Sequence, residues 1–202
     1  MKIAVIHGYA PALIEERGTL LEALVRMGHN VHALAPALEP DVALKFEAMG
    51  VEYSMIPLTR RGFTPMADIG SLLHLKQVLY RIRPDMVLST TSKAMIYGSL
   101  AARMAWVGEK KQVFAIVSGL GYAFTRDSGL KRRLLFGITK SLTQAGFKSC
   151  DGIIFRRAED EVFFRQLNVI PDHVRTVLVD ESDAGQAPEK SDNAILSFMG
   201  LL

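Results

Sequence analysis

The chain has 202 residues, 49% of them apolar, and a formal net charge of +3, enough for one domain with a full core. A single cysteine, Cys150, excludes an internal disulfide, and no Cys/His cluster has the spacing of a zinc site. No apolar run is long enough to span a bilayer, and the N-terminal Met-Lys-Ile-Ala-Val-Ile lacks the zones of a signal peptide, so a cytoplasmic location is expected.

Strands are predicted at 2–6, 30–35, 51–56, 85–89, 112–118, 152–155 and 174–179. Helices are predicted at 12–27, 40–49, 65–83, 93–106, 129–149 and 158–167. Short apolar runs that alternate with amphipathic helices specify an α/β fold, a Rossmann-like, doubly wound and mainly parallel sheet with right-handed crossovers. Gly28 after Met27 suits a helix C-terminus, Thr64-Pro65 a helix start, and Pro84 a helix end. Residues 180–193 are acidic and almost free of apolar groups, the composition of a linker. Residues 194–202, Ala-Ile-Leu-Ser-Phe-Met-Gly-Leu-Leu, are expected to form a new buried strand. The chain thus divides into a domain at 1–179, a polar linker at 180–193 and the start of a second domain at 194–202.

In an open α/β sheet, ligands bind at the carboxyl ends of the strands. His7-Gly8 closes the first strand there, and His7 serves either as a polar ligand contact or as a structural residue bonded to nearby backbone. Arg60 and Arg61 follow the third strand; paired guanidiniums suit a diphosphate, and solvated loop charge is the competing reading. Thr90, Thr91, Ser92 and Lys93 open the helix after the fourth strand. Hydroxyls there cap the helix, whereas Lys93 is out of place at a helix N-terminus unless it meets an anion. Ser118-Gly119-Leu120-Gly121-Tyr122 follows the fifth strand, where glycines let backbone N–H groups approach a ligand or simply make a tight turn. Its Gly-x-Gly spacing lacks the third glycine and follows the wrong strand for a dinucleotide site, so no cofactor is expected.

Charge is unevenly distributed, with a net +8 over residues 1–150 and −5 over 151–202. The basic part suits an anionic partner, and no stacking-aromatic pattern supports nucleic acid. Within 130–148, Lys131, Arg132 and Arg133 stand beside Leu134, Leu135 and Phe136, a pattern that fits an anionic membrane surface or an ordinary core-packed helix. Trp106 is read either as an interfacial anchor or as a buried helix end.

Three stretches together resemble a known family. They are Arg60-Arg61-Gly62-Phe63-Thr64-Pro65, then Thr91-Ser92-Lys93 with Tyr97-Gly98-Ser99-Leu100-Ala101-Ala102-Arg103, and Ser118-Gly119-Leu120-Gly121-Tyr122-Ala123-Phe124. In order and in matching positions they are similar to the N-terminal, acceptor-binding domain of family 4 glycosyltransferases of the GT-B fold, in particular bacterial polyprenyl-diphosphate-sugar hexosaminyltransferases. The similarity covers most of 1–179, and 194–202 resembles the first strand of the family's second domain.

The resemblance implies a retaining glycosyltransferase of envelope polysaccharide or glycan synthesis, peripheral at the inner face of the plasma membrane. Its acceptor is a lipid-diphosphate-linked sugar, held by His7, Gly8, Arg60, Arg61, Thr91, Ser92, Lys93, Ser118, Gly119, Gly121 and Tyr122. Nucleotide-sugar would bind only through a C-terminal domain missing from this chain, so alone the chain is expected to be inactive, with no catalytic residue assigned. The family's Glu-x7-Glu pair belongs to that other domain; the same spacing at Glu39/Glu47 and Glu181/Glu189 is coincidental. Open alternatives are a non-catalytic acceptor-binding subunit of a split transferase, an inactive truncated fragment, and a sugar-nucleotide epimerase.

Overall fold

A computed structural model describes residues 1–37, 39–58, 65–109, 111–117, 119, 130–179 and 188–202, with backbone alone at 65–67, 130–132 and 188. Among these residues seven strands alternate with seven helices: β1 (Lys2–Ile6), α1 (Ala10–Arg26), β2 (Asn30–Ala35), α2 (Pro40–Ala48), β3 (Glu52–Met55), α3 (Pro65–Ile82), β4 (Met86–Ser89), α4 (Ser92–Ala105), β5 (Gln112–Val117), α5 (Leu130–Lys148), β6 (Gly152–Phe155), α6 (Ala158–Gln166), β7 (Arg175–Leu178) and α7 (Pro188–Phe198). The sheet is parallel in every described pairing, in the order β3-β2-β1-β4-β5-β6-β7. The strand order reverses between β1 and β4, where Ile3 pairs Val31 on one side and Met86 on the other.

The two-residue alternation of the strands divides the core. Ala4, Ile6, Leu34, Val87, Ala115 and Ile153 point to the face covered by α3, α4, α5 and α6. Ile3, Val5, Ala33, Leu88, Ile116 and Ile154 point to the face covered by α1, α2 and α7. Both faces of the central strands are buried, which is why these segments read as continuous apolar runs.

Helix boundaries follow local chemistry. Gly28 (φ +81°) takes the left-handed position after α1, and its N–H closes onto the Val25 carbonyl at 2.9 Å. Arg83 (φ 52°) and then Pro84 end α3. Pro11 enters α1 in its first turn, so the helix begins at Ala10, two residues before the expected start at 12.

The C-terminal segment departs from expectation. Residues 194–202 do not form a strand: 188–198 form α7, and 188–193 of the expected linker belong to it. Asp192, Ile195, Leu196 and Met199 are buried, a three-and-four spacing that seats one helix face on α1 and the sheet. A strand would have buried alternate residues instead. Gly152 makes room for this docking, because a Cβ there would lie 2.6 Å from the Phe198 ring.

At the amino edge, the polar groups are spent on closing loops. Arg103 donates to the Ser149 and Lys111 carbonyls at 2.7 and 2.9 Å and to Asp151 at 2.8 Å, and Asp151 also accepts the Val113 N–H at 2.7 Å. Trp106, at the C-terminus of α4, is buried as in the second reading of that residue.

Candidate functional site

The carboxyl edge gathers the chemistry-bearing residues. At the switch point the loops after β1 and β4 are stitched together. The Thr90 N–H and hydroxyl both donate to the Ile6 carbonyl, at 3.0 and 3.1 Å, and the Gly8 N–H donates to Thr91 Oγ1 at 3.1 Å. A Cβ on Gly8 would meet that same hydroxyl at 3.1 Å, so the close approach depends on glycine. Thr91 sits at the N-cap of α4 but makes no side-chain capping bond. Its hydroxyl holds the β1 loop instead, which corrects the expectation that the Ser/Thr hydroxyls cap this helix. Ser92 is half-buried at the start of α4.

His7 is buried, and its Nδ1 accepts the Tyr9 N–H at 2.9 Å. In the neutral ring the proton is therefore on Nε2, which faces Glu16 Oε2 at 4.0 Å. The same carboxylate oxygen lies 3.8 Å from Arg156 Nη1. Glu16 belongs to α1 and Arg156 directly follows β6, so these three residues bracket the mouth of the edge from β1 to β6. Arg17, the next residue on α1, is buried, and burial pushes it below its ordinary value against the opposing charges of Asp192 and Glu16. Burial and then the charge of Arg17 push Arg156 down to about 10.

Lys93 occupies a buried ion pair, its Nζ 2.7 Å from Asp68 Oδ1 on α3. Tyr97, one turn further along α4, donates its hydroxyl to Asp68 Oδ2 at 3.1 Å, and burial followed by the Asp68 charge raises its phenol. Asp68 is thus the anion that this cation at a helix N-terminus meets.

Gly119 has φ +92°, a conformation that favours glycine, and its N–H donates to Asp160 Oδ2 at 3.1 Å. Asp160 lies in the first turn of α6, fully buried, and also accepts from Arg157 at 3.0 and 3.3 Å. An internal carboxylate therefore takes the N–H that the sequence reading aimed at a ligand anion. Arg60, Arg61, Ser118, Gly121 and Tyr122 lie outside the described residues. Lys131 and Arg132 fall in the first turn of α5; Arg133 and Leu134 are exposed, while Leu135 and Phe136 are half-buried.

Glu16, Arg17, Asp68, Arg156, Arg157 and Asp160 are not among the site residues expected from sequence, and Tyr97 enters there only through the family resemblance. Arg156-Arg157-x-x-Asp160, directly after an apolar strand, carried a readable signal, since the three-residue spacing places Arg157 beside Asp160 on a helix start. The Glu16–Arg156 and Lys93–Asp68 contacts span distant segments and left no local trace. Among the described residues, no group of three or more His, Cys, Asp and Glu is placed to hold a metal, and no helix is long and apolar enough to cross a membrane.

No protein-family model and no curated protein matches the sequence. Solved structures do match the fold. A sucrose-phosphate synthase structure from Thermosynechococcus elongatus superposes with a TM-score of 0.62 at 12% identity, covering 100% of this chain and 97% of that one. A glycosyltransferase from Rickettsia africae gives 0.59 at 10% identity over 100% of this chain and 50% of its own. MurG from Acinetobacter baumannii gives 0.52 at 14% identity over 89% and 45%. A UDP-GlcNAc 2-epimerase from Methanocaldococcus jannaschii gives 0.54 at 16% identity over 88% and 45%. At these identities the likeness concerns the fold: a Rossmann-like α/β unit of the kind found in GT-B glycosyltransferases. The chain spans about half the length of the Rickettsia, MurG and epimerase chains.

Proposed function

We propose that this chain is the acceptor-binding half of a GT-B glycosyltransferase, taking a lipid-diphosphate-linked sugar as acceptor and receiving donor chemistry from a second domain. The observation that carries this reading is the convergence of His7, Gly8, Thr91, Gly119 and Arg156 on the carboxyl edge around the β1/β4 switch point. That edge is where an acceptor hydroxyl would be oriented and shielded from water for attack on an anomeric carbon. Arg60 and Arg61 remain proposed partners of the diphosphate. Lys93 keeps a place in the site by fixing α3 against α4 through Asp68, with Thr91 and Ser92 at the lip. Ser118, Gly121 and Tyr122 complete the proposed wall.

Arg133 and Leu134, exposed on α5, are proposed together with Lys131 and Arg132 to rest on the anionic membrane surface that carries such an acceptor. Retaining transfer of the family 4 type, in envelope glycan synthesis, belongs to the same proposal.

The purified chain is expected to bind a polyprenyl-diphosphate sugar in detergent or vesicles while showing no multiple turnover with nucleotide-sugars. Robust turnover by the chain alone would overturn the division of labour between two halves. Because UDP-GlcNAc 2-epimerases share the fold, the same preparation should be tested for nucleotide-sugar epimerisation. Conversion of UDP-GlcNAc without acceptor would replace the transferase reading.

A further inference from the structure

We propose that Ser54 is a nucleophile for acyl transfer, with His32 as its base and Glu52 as the residue that positions the base, at the outer edge of the sheet. This centre stands apart from the carboxyl-edge site and acts on a carboxylic ester that reaches the end strand β3 from solvent.

Four side chains form a continuous row across β2 and β3. Ser54 Oγ lies 2.8 Å from His32 Nε2, and His32 Nδ1 lies 3.3 Å from Glu52 Oε2. The other carboxylate oxygen, Glu52 Oε1, accepts from Asn30 Nδ2 at 2.9 Å. Strand register produces the row. In the parallel pairing His32 is opposite Glu52 and Leu34 is opposite Ser54, so Glu52 and Ser54, two residues apart, share one face with the His32 ring.

The contacts fix the roles. A carboxylate accepts, so the neutral imidazole carries its proton on Nδ1 toward Glu52, and the Nε2 lone pair faces the Ser54 hydroxyl. Burial outweighs the Glu52 charge and lowers the His32 pKa, which leaves the ring neutral and able to take a proton at neutral pH. Nucleophile, base and orienting carboxylate in this order make a serine triad, which is recognised by geometry and not by chain position.

The edge supplies access and a donor for the developing anion. β3 ends the described sheet, and there Glu52 is exposed and Ser54 half-buried, while the His32 side chain is only 10% exposed. The Ile56 N–H donates to the Ala35 carbonyl at 3.1 Å, so by the alternation of a parallel ladder the Met55 N–H points away from β2. That backbone donor, one residue after the nucleophile, serves the oxyanion. In the reaction the Ser54 oxygen bonds to the ester carbonyl carbon as its proton passes to His32 Nε2. The carbon–alkoxy bond then breaks, and His32 returns the proton to the leaving alcohol. Water repeats both steps on the acyl-serine, releasing the acid and restoring the hydroxyl.

The test treats the full chain with p-nitrophenyl acetate and with an alkyl fluorophosphonate, locating the labelled residue by mass spectrometry. Labelling of Ser54 and release of nitrophenolate are expected at rates about a hundredfold or more above those of the urea-unfolded chain. Ser54→Ala should lose both, and His32→Gln should slow labelling about a hundredfold or more. Long-range proton–nitrogen NMR should find His32 as the Nδ1–H tautomer in the wild type and shifted toward Nε2–H in Glu52→Ala, a change that a purely structural carboxylate does not produce.

No labelling of the folded wild type, labelling that persists in Ser54→Ala, a wild-type rate in His32→Gln, or an unchanged tautomer in Glu52→Ala would each overturn the proposal. Should His32→Gln fail to fold by circular dichroism, Ser54→Ala and the wild-type tautomer decide. Loss of labelling together with an Nδ1–H ring supports the proposal, and persistent labelling or an Nε2–H ring refutes it. Each of these outcomes leaves the acceptor reading of the carboxyl edge intact.

Discussion

At the residue scale, the structure turns charges that look exposed in sequence into buried, partnered groups. Lys93 and Asp68 are the clearest case, both nearly fully buried and 2.7 Å apart. Removing one partner strands the other charge in a low-dielectric place. Lys93→Met is therefore expected to cost about 3 kcal/mol in urea denaturation, and Lys93→Met with Asp68→Leu to recover most of it. His32 offers a pH readout. Its Nε2 is 2.8 Å from Ser54 Oγ and its Nδ1 3.3 Å from Glu52 Oε2, but burial outweighs the Glu52 charge and lowers its pKa. The unfolded chain then binds a proton more readily than the folded one, so stability falls as pH drops below about 6.5. His29 is shifted in the same direction by burial and then the N-terminal charge, and adds to the slope. A pH series of denaturation midpoints on the wild type and His32→Gln checks this; the variant should show the shallower slope.

At the element scale, packing depends on a few small residues and one amphipathic helix. Gly98 lets α4 lie against β1 and β4, where a Cβ would come within 2.5 Å of Ser89 Oγ and 2.9 Å of Ile6. Gly146 does the same for α5 against α4, with Ile96 Cα 3.0 Å from the added carbon. Gly98→Val is expected to destabilise by about 2 kcal/mol, read as a lower denaturation midpoint at unchanged slope. Docking of α7 rests on Ile195, Leu196 and Met199, and Ile195→Ala is expected to cost about 3 kcal/mol. Asp160 is the corresponding tie on the other side of the sheet, joining α6 to Gly119. Asp160→Asn removes the charge that Arg157 and the Gly119 N–H share, and should speed amide exchange at Gly119 while leaving β5 protected.

At the scale of the whole molecule, the doubly wound sheet has a protected centre and open edges. Strands β1 and β4 are covered on both faces, whereas Met55 on β3 and Leu178 on β7 are 65% and 40% exposed. Hydrogen exchange is expected to be slowest in β1, β4 and β5 and fastest in β3 and β7; uniform protection would contradict this ordering. The contrast between the two sheet edges matters more for function. The amino edge is closed by the Arg103–Asp151 network, while the carboxyl edge brings together residues from β1, α1, α4, the β5 loop and β6.

The sequence by itself determined the α/β alternation and, among the described residues, six of the seven helices and all seven strands. These follow from local periodicity and turn chemistry, and both are written within windows of a few residues. It misread 194–202 because the helical face of α7 starts at Asp192, inside a stretch whose composition looked like linker. Tertiary structure alone decided that Lys93 meets Asp68, that Gly119 is held by Asp160, and that Glu16 meets Arg156. Those pairings join residues 25, 41 and about 140 positions apart. No periodicity encodes such distances; they are set by which strands the crossovers make neighbours and by where the carboxyl ends of those strands bring their loops together.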